Sequence, residues 1–344
     1  MGRHHAAIVA LLATVAAGCA EPFSPPSAGT PTLDDPGIGT VVAVTTGGEH
    51  SCALVASGDA YCWGSNEFGQ LGSAPTGSAC ARVDRIIPCE AVPRAVTGGL
   101  KFRAIAAGGT HTCGVAVDGH VYCWGENKFG QLGDPSLATA AAPTPALTSS
   151  LFTGIVAGDA HTCALRTDGV AVCWGANDLG QLGIATTGTG SATPVIAQTN
   201  QRFSSLAAGF KRTCGRAADG TTFCWGSQWV SRSVDGVEQT RSQAQPTRVQ
   251  FSPAFSSLSV GGQTSCGLAL DGTAWCWEAN PVGTFGDGST EGSTIPVQVQ
   301  ASFRFTSISV GAQATCAVSD GGLVYCWGSD AADQLAVPAA SVNQ

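Results

Sequence analysis

Charge is what this 344-residue chain has least of: 12% of its residues are charged, and 16 Lys and Arg against 24 Asp and Glu leave a formal net charge of −8. Without a basic surplus there is no stripe to neutralise phosphates, which argues against a nucleic-acid binder. Enzyme signatures are missing too: there is no G-x-S-x-G elbow, no H-E-x-x-H, no phosphate-binding loop and no C-x-x-C pair. Aromatics reach only 7%, yet 44% of the residues are hydrophobic and 46 are glycine, which excludes both a disordered polymer and a coiled coil. A folded, turn-rich, mostly β chain remains.

The apolar run Ala6 to Ala17 follows Arg3 and precedes Gly18-Cys19. At about 1.5 Å per residue it is too short to cross a hydrocarbon core of about 30 Å, and it reads as the h-region of an export signal over residues 1–18. Ala16-Ala17-Gly18-Cys19 resembles a bacterial lipoprotein box, with alanine where leucine is usual, so Cys19 is the expected lipid-anchor residue. Residues 19–38 are rich in Pro, Ser, Thr and Gly and read as a semi-extended tether. The expected location is extracytoplasmic, in a cell envelope, either lipid-anchored or secreted.

Cysteine spacing exposes a repeat. Besides Cys19, six pairs share one separation: Cys52 with Cys62, Cys113 with Cys123, Cys163 with Cys173, Cys214 with Cys224, Cys266 with Cys276 and Cys316 with Cys326. Cys80 and Cys89 form a seventh pair. The six pairs recur about every 50 residues and fill residues 39–344, leaving room for one repeat domain only. Each unit has an alternating stretch such as Phe102–Ala107, a strand around His111–Val115, an Asp118-Gly119-type turn, a strand such as Val121–Gly125, a long Gly-rich loop, and a short strand marked by proline such as Pro194-Val195-Ile196. Four strands in each of six units predict an all-β, six-bladed β-propeller.

Turn chemistry sets the cysteine register. With Gly119 in the left-handed bulge position, Ala116 faces His120 and Cys113 faces Cys123 on a non-hydrogen-bonded site, where Cα atoms lie about 4.5 Å apart. That is within disulfide reach, and an export signal favours disulfides over metal sites. All seven pairs are therefore expected to be bonded.

The run Gly108–Cys113 followed by Asp118-Gly119-His120-Val121-Tyr122-Cys123-Trp124-Gly125-Glu126-Asn127-Lys128-Phe129-Gly130-Gln131-Leu132-Gly133 resembles the repeat of the regulator of chromosome condensation 1 family. Units one and three repeat it with Trp63-Gly64-Ser65-Asn66 and Gly69–Gly72, and with Trp174-Gly175-Ala176-Asn177 and Gly180–Gly183. Unit four keeps Trp225-Gly226 and diverges, unit five has Glu278 for glycine, and unit six keeps Gln334-Leu335. The resemblance implies a propeller, commonly of seven blades against six here, and a protein-binding platform. The founding member's nucleotide exchange and chromatin contacts are not carried over to an acidic, exported chain.

Candidate sites lie where the repeat is broken. His50, His111 and His161 precede their cysteines by two, but Arg212, Thr264 and Ala314 take that place later, so they read as packing residues and no metal or cofactor is expected. The tryptophans Trp63, Trp124, Trp174, Trp225, Trp277 and Trp327 recur at one position and read as packing between blades. Gly286–Gly292 reads as a solvated loop. Unit one carries an insertion, Ser73 to Ala95, with Arg82 and Arg85, and unit four has Trp229 beside Arg232. Trp and Arg are enriched at binding hot spots, so Arg82, Arg85, Trp229 and Arg232 are the candidate partner-binding residues.

The resulting reading is a non-enzymatic, monomeric binding scaffold for a protein or glycan partner that touches a membrane through its N-terminal lipid alone. A lyase- or glycosidase-type enzyme with its site in a central channel, and family-type nucleotide exchange, stand as alternatives. Short links after the Pro-marked strands suggest that a blade joins one unit's Pro-marked strand to the next unit's three strands. Val337 to Val342 would then pair with Val41 to Val44 and close the ring.

Overall fold

A computed structural model describes residues 39–81, 85–232 and 238–329. The signal, Cys19, the tether, Arg82 and the closure expected of Val337 to Val342 lie outside the described residues.

Six antiparallel sheets follow one another along the chain. The first holds β1 (Val41–Thr46), β2 (His50–Val55), β3 (Ala60–Ser65), β5 (Ile86–Ala95) and the short β4 (Ala79–Ala81), in the order β1-β2-β3-β5-β4. The second runs β6 (Phe102–Ala107), β7 (His111–Ala116), β8 (Val121–Glu126), β9 (Thr139–Pro145), and the third β10 (Phe152–Ala157), β11 (His161–Arg166), β12 (Ala171–Asn177), β13 (Gly188–Ile196). The fourth is β14 (Phe203–Gly209), β15 (Arg212–Ala217), β16 (Thr222–Arg232), β17 (Glu238–Arg248). The fifth is β18 (Phe255–Val260), β19 (Thr264–Ala269), β20 (Ala274–Glu278), β21 (Ser293–Gln298). The sixth has β22 (Phe305–Val310), β23 (Ala314–Ser319) and β24 (Val324–Gly328) among the described residues. The fold class is the all-β, six-bladed β-propeller expected. The chain clusters into two compact bodies, one holding the first three sheets and the other the last three, with the loop Asn177–Thr189 in the second.

In the first five sheets the fourth position is filled by the same unit's own strand, and this corrects the expected partition. β9 lies beside its own unit's β8, with Tyr122 opposite Pro145 and Glu126 opposite Thr139, instead of joining the next unit. Loop length misled because the long loop leaves its sheet and returns to it. Asn127 pins that excursion: its Nδ2 donates to the carbonyls of Asp134 (2.8 Å) and Leu137 (2.7 Å), and its Oδ1 accepts from Leu132 N (2.8 Å). The link to the next sheet is the short one, with Phe152 N bonded to Gly119 O at 2.9 Å.

The hairpins follow the turn argument closely. Gly119 has φ of 92°, Ala116 N donates to His120 O at 2.8 Å, and Cys113 pairs with Cys123. The same second-to-third-strand pairing recurs in every unit and carries a disulfide each time. Cys52 is bonded to Cys62, Cys113 to Cys123 and Cys163 to Cys173, all with Cα atoms 4.1 Å apart. Cys214 is bonded to Cys224, Cys266 to Cys276 and Cys316 to Cys326, at the same 4.1 Å. The separation differs from the expected one only in being shorter than the about 4.5 Å of an ordinary non-hydrogen-bonded pair. Cys80 and Cys89 are bonded between β4 and β5 at a Cα separation of 5.7 Å.

The central strands β2, β7 and β19 are buried along their whole length, because sheet neighbours and packing cover both faces. A buried phenylalanine opening the first strand meets the tryptophan of the third: Phe102–Trp124 at 5.8 Å, Phe203–Trp225 at 5.8 Å, Phe255–Trp277 at 5.7 Å and Phe305–Trp327 at 6.1 Å between centroids. Trp63 is only half-buried.

Candidate binding site

In the regular units the long loop sends a Gly-Gln-Leu-Gly plug onto the next sheet. Leu71, Leu132 and Leu182 are buried, and the plug glutamine's carbonyl oxygen is an acceptor for that sheet. Gln131 O takes both Trp174 Nε1 and Thr162 Oγ1 at 2.9 Å each. Gln70 O takes Thr112 Oγ1 at 2.8 Å, and Gln181 O takes Thr213 Oγ1 at 3.0 Å. Close approach makes glycine obligatory at the plug's end. A Cβ on Gly133, at φ 79°, would lie 3.2 Å from Trp174 Nε1.

The histidines extend this network. Since the threonine hydroxyl donates to the plug carbonyl, it must accept from histidine, and His50 Nε2 donates to Thr112 Oγ1 (2.7 Å) as His111 Nε2 does to Thr162 Oγ1 (2.9 Å). Burial pushes the His50 pKa down to about 4 and, with help from His50 and His161, that of His111 to about 3, so both rings are neutral. Their protons are committed to packing.

Sequence reading missed a plug in unit five. Asn280-x-x-Gly283-Thr284-Phe285-Gly286 stands at the same distance from Trp277 as Asn127–Gly133 from Trp124, with Thr for Gln and Phe for Leu. Phe285 is fully buried, Asn280 Oδ1 accepts from Phe285 N at 2.9 Å, and Thr284 O takes both Trp327 Nε1 and Thr315 Oγ1 at 2.9 Å. The spacing was the available signal, hidden by the two substitutions.

Among its described residues unit four has no such plug. Its loop is replaced by the long hairpin of β16 and β17, paired from Phe223–Arg248 out to Arg232–Glu238. At the foot of the hairpin is a cavity of about 150 Å³ lined by Trp225, Trp277, Arg212, Arg241, Arg248 and Glu278, among others. The Arg212 guanidinium donates through Nη2 to Glu278 Oε1 (2.6 Å) and through Nη1 to the Ser227 carbonyl, and Trp229 N donates to Glu278 Oε2. Arg212 fills the histidine position, and Glu278, at φ 84°, fills the position where glycine has a positive φ in the other five units. The two departures explain each other: a longer cation replaces histidine, and a carboxylate on the neighbouring blade meets it. Burial raises the Glu278 carboxyl above its ordinary value against the pull of Arg212, and burial lowers Arg212 against the pull of Glu278.

The four candidate contact residues fall in different places. Trp229 is half-buried, its ring so close to Gly292 that a Cβ there would come within 2.5 Å, while Val230 beside it is 44% exposed. Arg232 sits at the outer end of the hairpin, its backbone opposite Glu238. Arg85 is exposed and paired with Glu67 at 2.5 Å. In the same insertion, buried Glu90 accepts from Thr76 Oγ1 at 2.6 Å, so a carboxylate and a disulfide brace the loop.

Two profiles of the regulator of chromosome condensation (RCC1) repeat match the chain, one at residues 41–70, 102–131, 152–181 and 305–334, the other at 57–115 and 118–165. The chain is thus an RCC1-repeat protein of the propeller class. The ultraviolet-B receptor UVR8 of Arabidopsis thaliana is 34% identical over 249 residues, covering 72% of this chain and 43% of the receptor. The probable E3 ubiquitin-protein ligase HERC4 of Homo sapiens is 37% identical over 95 residues, 27% of this chain and 8% of the ligase. The chain thus spans less than half the length of either relative. Among solved structures, human WBSCR16 superposes with a TM-score of 0.72 at 17% identity, covering 84% of this chain and 77% of that one. Yeast RCC1 (Prp20), solved with Kap60 bound, gives 0.63 at 19% identity over 85% and 83%. At such identities these likenesses speak for the fold.

Proposed function

We propose that this protein is an exported, lipid-anchored, monomeric binding scaffold that does no chemistry and engages a protein partner through the loops that break its repeat. The observation that carries the reading is how the repeat spends its polar groups: histidine, threonine and plug carbonyl bond one another inside the blades, whereas the departures add an exposed Arg85 on the insertion and a long hairpin bearing half-buried Trp229. Seven disulfides fit an oxidising compartment and the export signal over residues 1–18, and Cys19 supplies the anchor. Protein binding agrees with yeast RCC1 (Prp20), solved with Kap60, and with the binding of Prp20p of Saccharomyces cerevisiae to Gsp1p and histones.

Two measurements test it. Cys19→Ser should move the protein from the membrane fraction to the soluble one, and a mature N-terminus at any other residue overturns the anchor. Trp229→Ala with Arg232→Ala, or removal of Ser73 to Ala95, should weaken retention of whatever protein the folded body captures from envelope extracts. Unchanged retention in both variants overturns the role of these loops, including Arg82 and Arg85.

A further inference from the structure

The cavity at the foot of the β16–β17 hairpin occupies the place of the missing fourth plug. Elsewhere the plug rests on the residue ending the fourth strand and on the next tryptophan: Gly133 lies against Ala146 and Trp174, and Gly183 against Ala197 and Trp225. The matching residues in unit four are Val249 and Trp277, and both line the cavity. Val249 N bonds Thr222 O at 2.9 Å, as Ala146 N bonds Val121 O at 3.0 Å, which confirms the correspondence.

Where a plug is present, its carbonyl satisfies buried donors of the following sheet. Thr112, Thr162, Thr213 and Thr315 each donate to a plug carbonyl, and Trp174 and Trp327 share theirs. Trp124 and Trp225 make no such bond, but the threonine opposite each of them does. In the fifth sheet Ser265 holds the threonine position directly opposite Trp277, at 0% and 1% exposure, and neither Ser265 Oγ nor Trp277 Nε1 has a partner. The Arg212 Nε on the cavity wall is also unpartnered. In the third and sixth sheets the equivalent threonine and tryptophan share one plug carbonyl, so the fifth sheet's Ser265, behind the cavity wall, and Trp277, on it, lack the acceptor their counterparts have, at about 1–3 kcal/mol for each unsatisfied buried donor. Glu278 adds backbone strain at the same wall, and such outliers concentrate at ligand sites.

We infer that this cavity is a recognition site for an acidic peptide segment of a partner protein, which supplies in trans the carbonyl and the apolar side chain that the other plugs supply in cis. The lining fixes the charge preference: Arg212, Arg241 and Arg248 face one carboxylate, Glu278. The regular plugs set the precedent for an acid beside the asparagine, since Asp178 pairs with Lys211 at 2.6 Å and Glu67 with Arg85 at 2.5 Å. At about 150 Å³ the cavity is below the roughly 300–1,000 Å³ of small-molecule pockets and has room for one apolar side chain of a peptide whose remainder stays outside. The inference deepens the scaffold reading by naming what one of its loops takes.

The probe is a blocked peptide, Asn-Asp-Leu-Gly-Gln-Leu-Gly, the sequence of residues 177–183, titrated into the purified folded protein while the Trp277 indole N–H resonance, assigned with Trp277→Phe, is followed by NMR. Saturable movement of that resonance is expected, with at least tenfold weaker binding of the same peptide carrying Lys for Asp, and with that preference reversed in Arg241→Glu with Arg248→Glu. Ser265→Ala is the decisive variant. It removes an orphaned donor, so it should raise the melting temperature of the free protein while weakening the peptide at least fivefold; a purely structural serine would lower the one and leave the other unchanged. No movement at Trp277 at millimolar peptide, or equal binding of both peptides, overturns the inference, whereas the scaffold reading is decided separately by partner retention in the Trp229/Arg232 and Ser73 to Ala95 variants.

Discussion

The second and fourth sheets are built on the same four strands, yet their interiors are held by opposite chemistry. In the second, neutral His111 reaches Thr162 of the third sheet, and the Gln131 carbonyl completes a chain of uncharged hydrogen bonds. In the fourth, Arg212 reaches Glu278 of the fifth sheet as a buried ion pair, and no plug follows. In this sheet the change of chemistry involves both partners, and the glycine position takes on a positive φ with a non-glycine residue. What the exchange accompanies is a cationic cavity where the regular blade is filled by its plug. The neutral interior keeps only isolated unpartnered nitrogens, whereas the charged one has unpartnered donors beside a cavity with room for a ligand.

Breaking the ion pair sharpens this contrast most. Arg212→Ala leaves a buried carboxylate without its cation and should cost about 3–5 kcal/mol, read as a fall in denaturation midpoint. Arg212→His with Glu278→Gly restores the chemistry of the second sheet, relieves the positive φ, and should recover most of that loss. If the double variant is as unstable as the single, the two departures are not a pair.

Acid acts next, and on the other region. His50 and His111 have folded pKa values of about 4 and about 3 against 6.5 for the free side chain, so the unfolded chain binds their protons first. Stability is then fully present above pH 6.5 and is lost as the pH falls from 6.5 toward 4, at most about 3 kcal/mol for His50. Protection factors of the β2 and β7 amides, which divide out the intrinsic slowing of exchange in acid, should fall over that window, and His111→Gln should flatten the response. Protection factors unchanged between pH 7 and 4 would show that these rings do not carry the linkage.

The disulfides give a smaller difference. Each repeat bond closes a short loop, so Cys113→Ala with Cys123→Ala should cost at most roughly 3 kcal/mol. Cys80→Ala with Cys89→Ala should lower the global melting temperature less, because that bond ties only the short β4 to the outer side of β5 and does not cross between two central strands. Equal losses from both would erase the distinction between scaffold and loop. Mass spectrometry of the non-reduced protein should meanwhile find these fourteen cysteines without a free thiol.

How far the sequence was legible follows from the range of each interaction. The hairpin register, the Cys113–Cys123 bond and the burial of Trp124 are set by a turn and a few neighbours, so Asp118-Gly119 and the spacing suffice. Loop length misassigned the Pro-marked strand because nothing local shows that Asn127 folds the excursion back. Arg212 and Glu278 lie 66 residues apart, and only the blade packing reveals that one departure answers the other. Residue type and position single out Trp229, and its approach to Gly292 across a sheet boundary is a contact that no local pattern carries.

The smallest effect separates stability from recognition in the first sheet's insertion. Arg85 and Glu67 form an ion pair with half of the arginine side chain exposed, a geometry that typically contributes about 0–1 kcal/mol because water screens it and two long side chains must be ordered. Arg85→Ala should therefore leave the melting temperature within about a degree. The loop itself is held by other means: the Cys80–Cys89 bond, the pairing of β4 with β5, and buried Glu90 on Thr76. Such a side chain on a braced loop is where the proposed recognition is separable from stability. Loss of partner retention at constant melting temperature would support that use, while a large drop in melting temperature would return Arg85 to the scaffold.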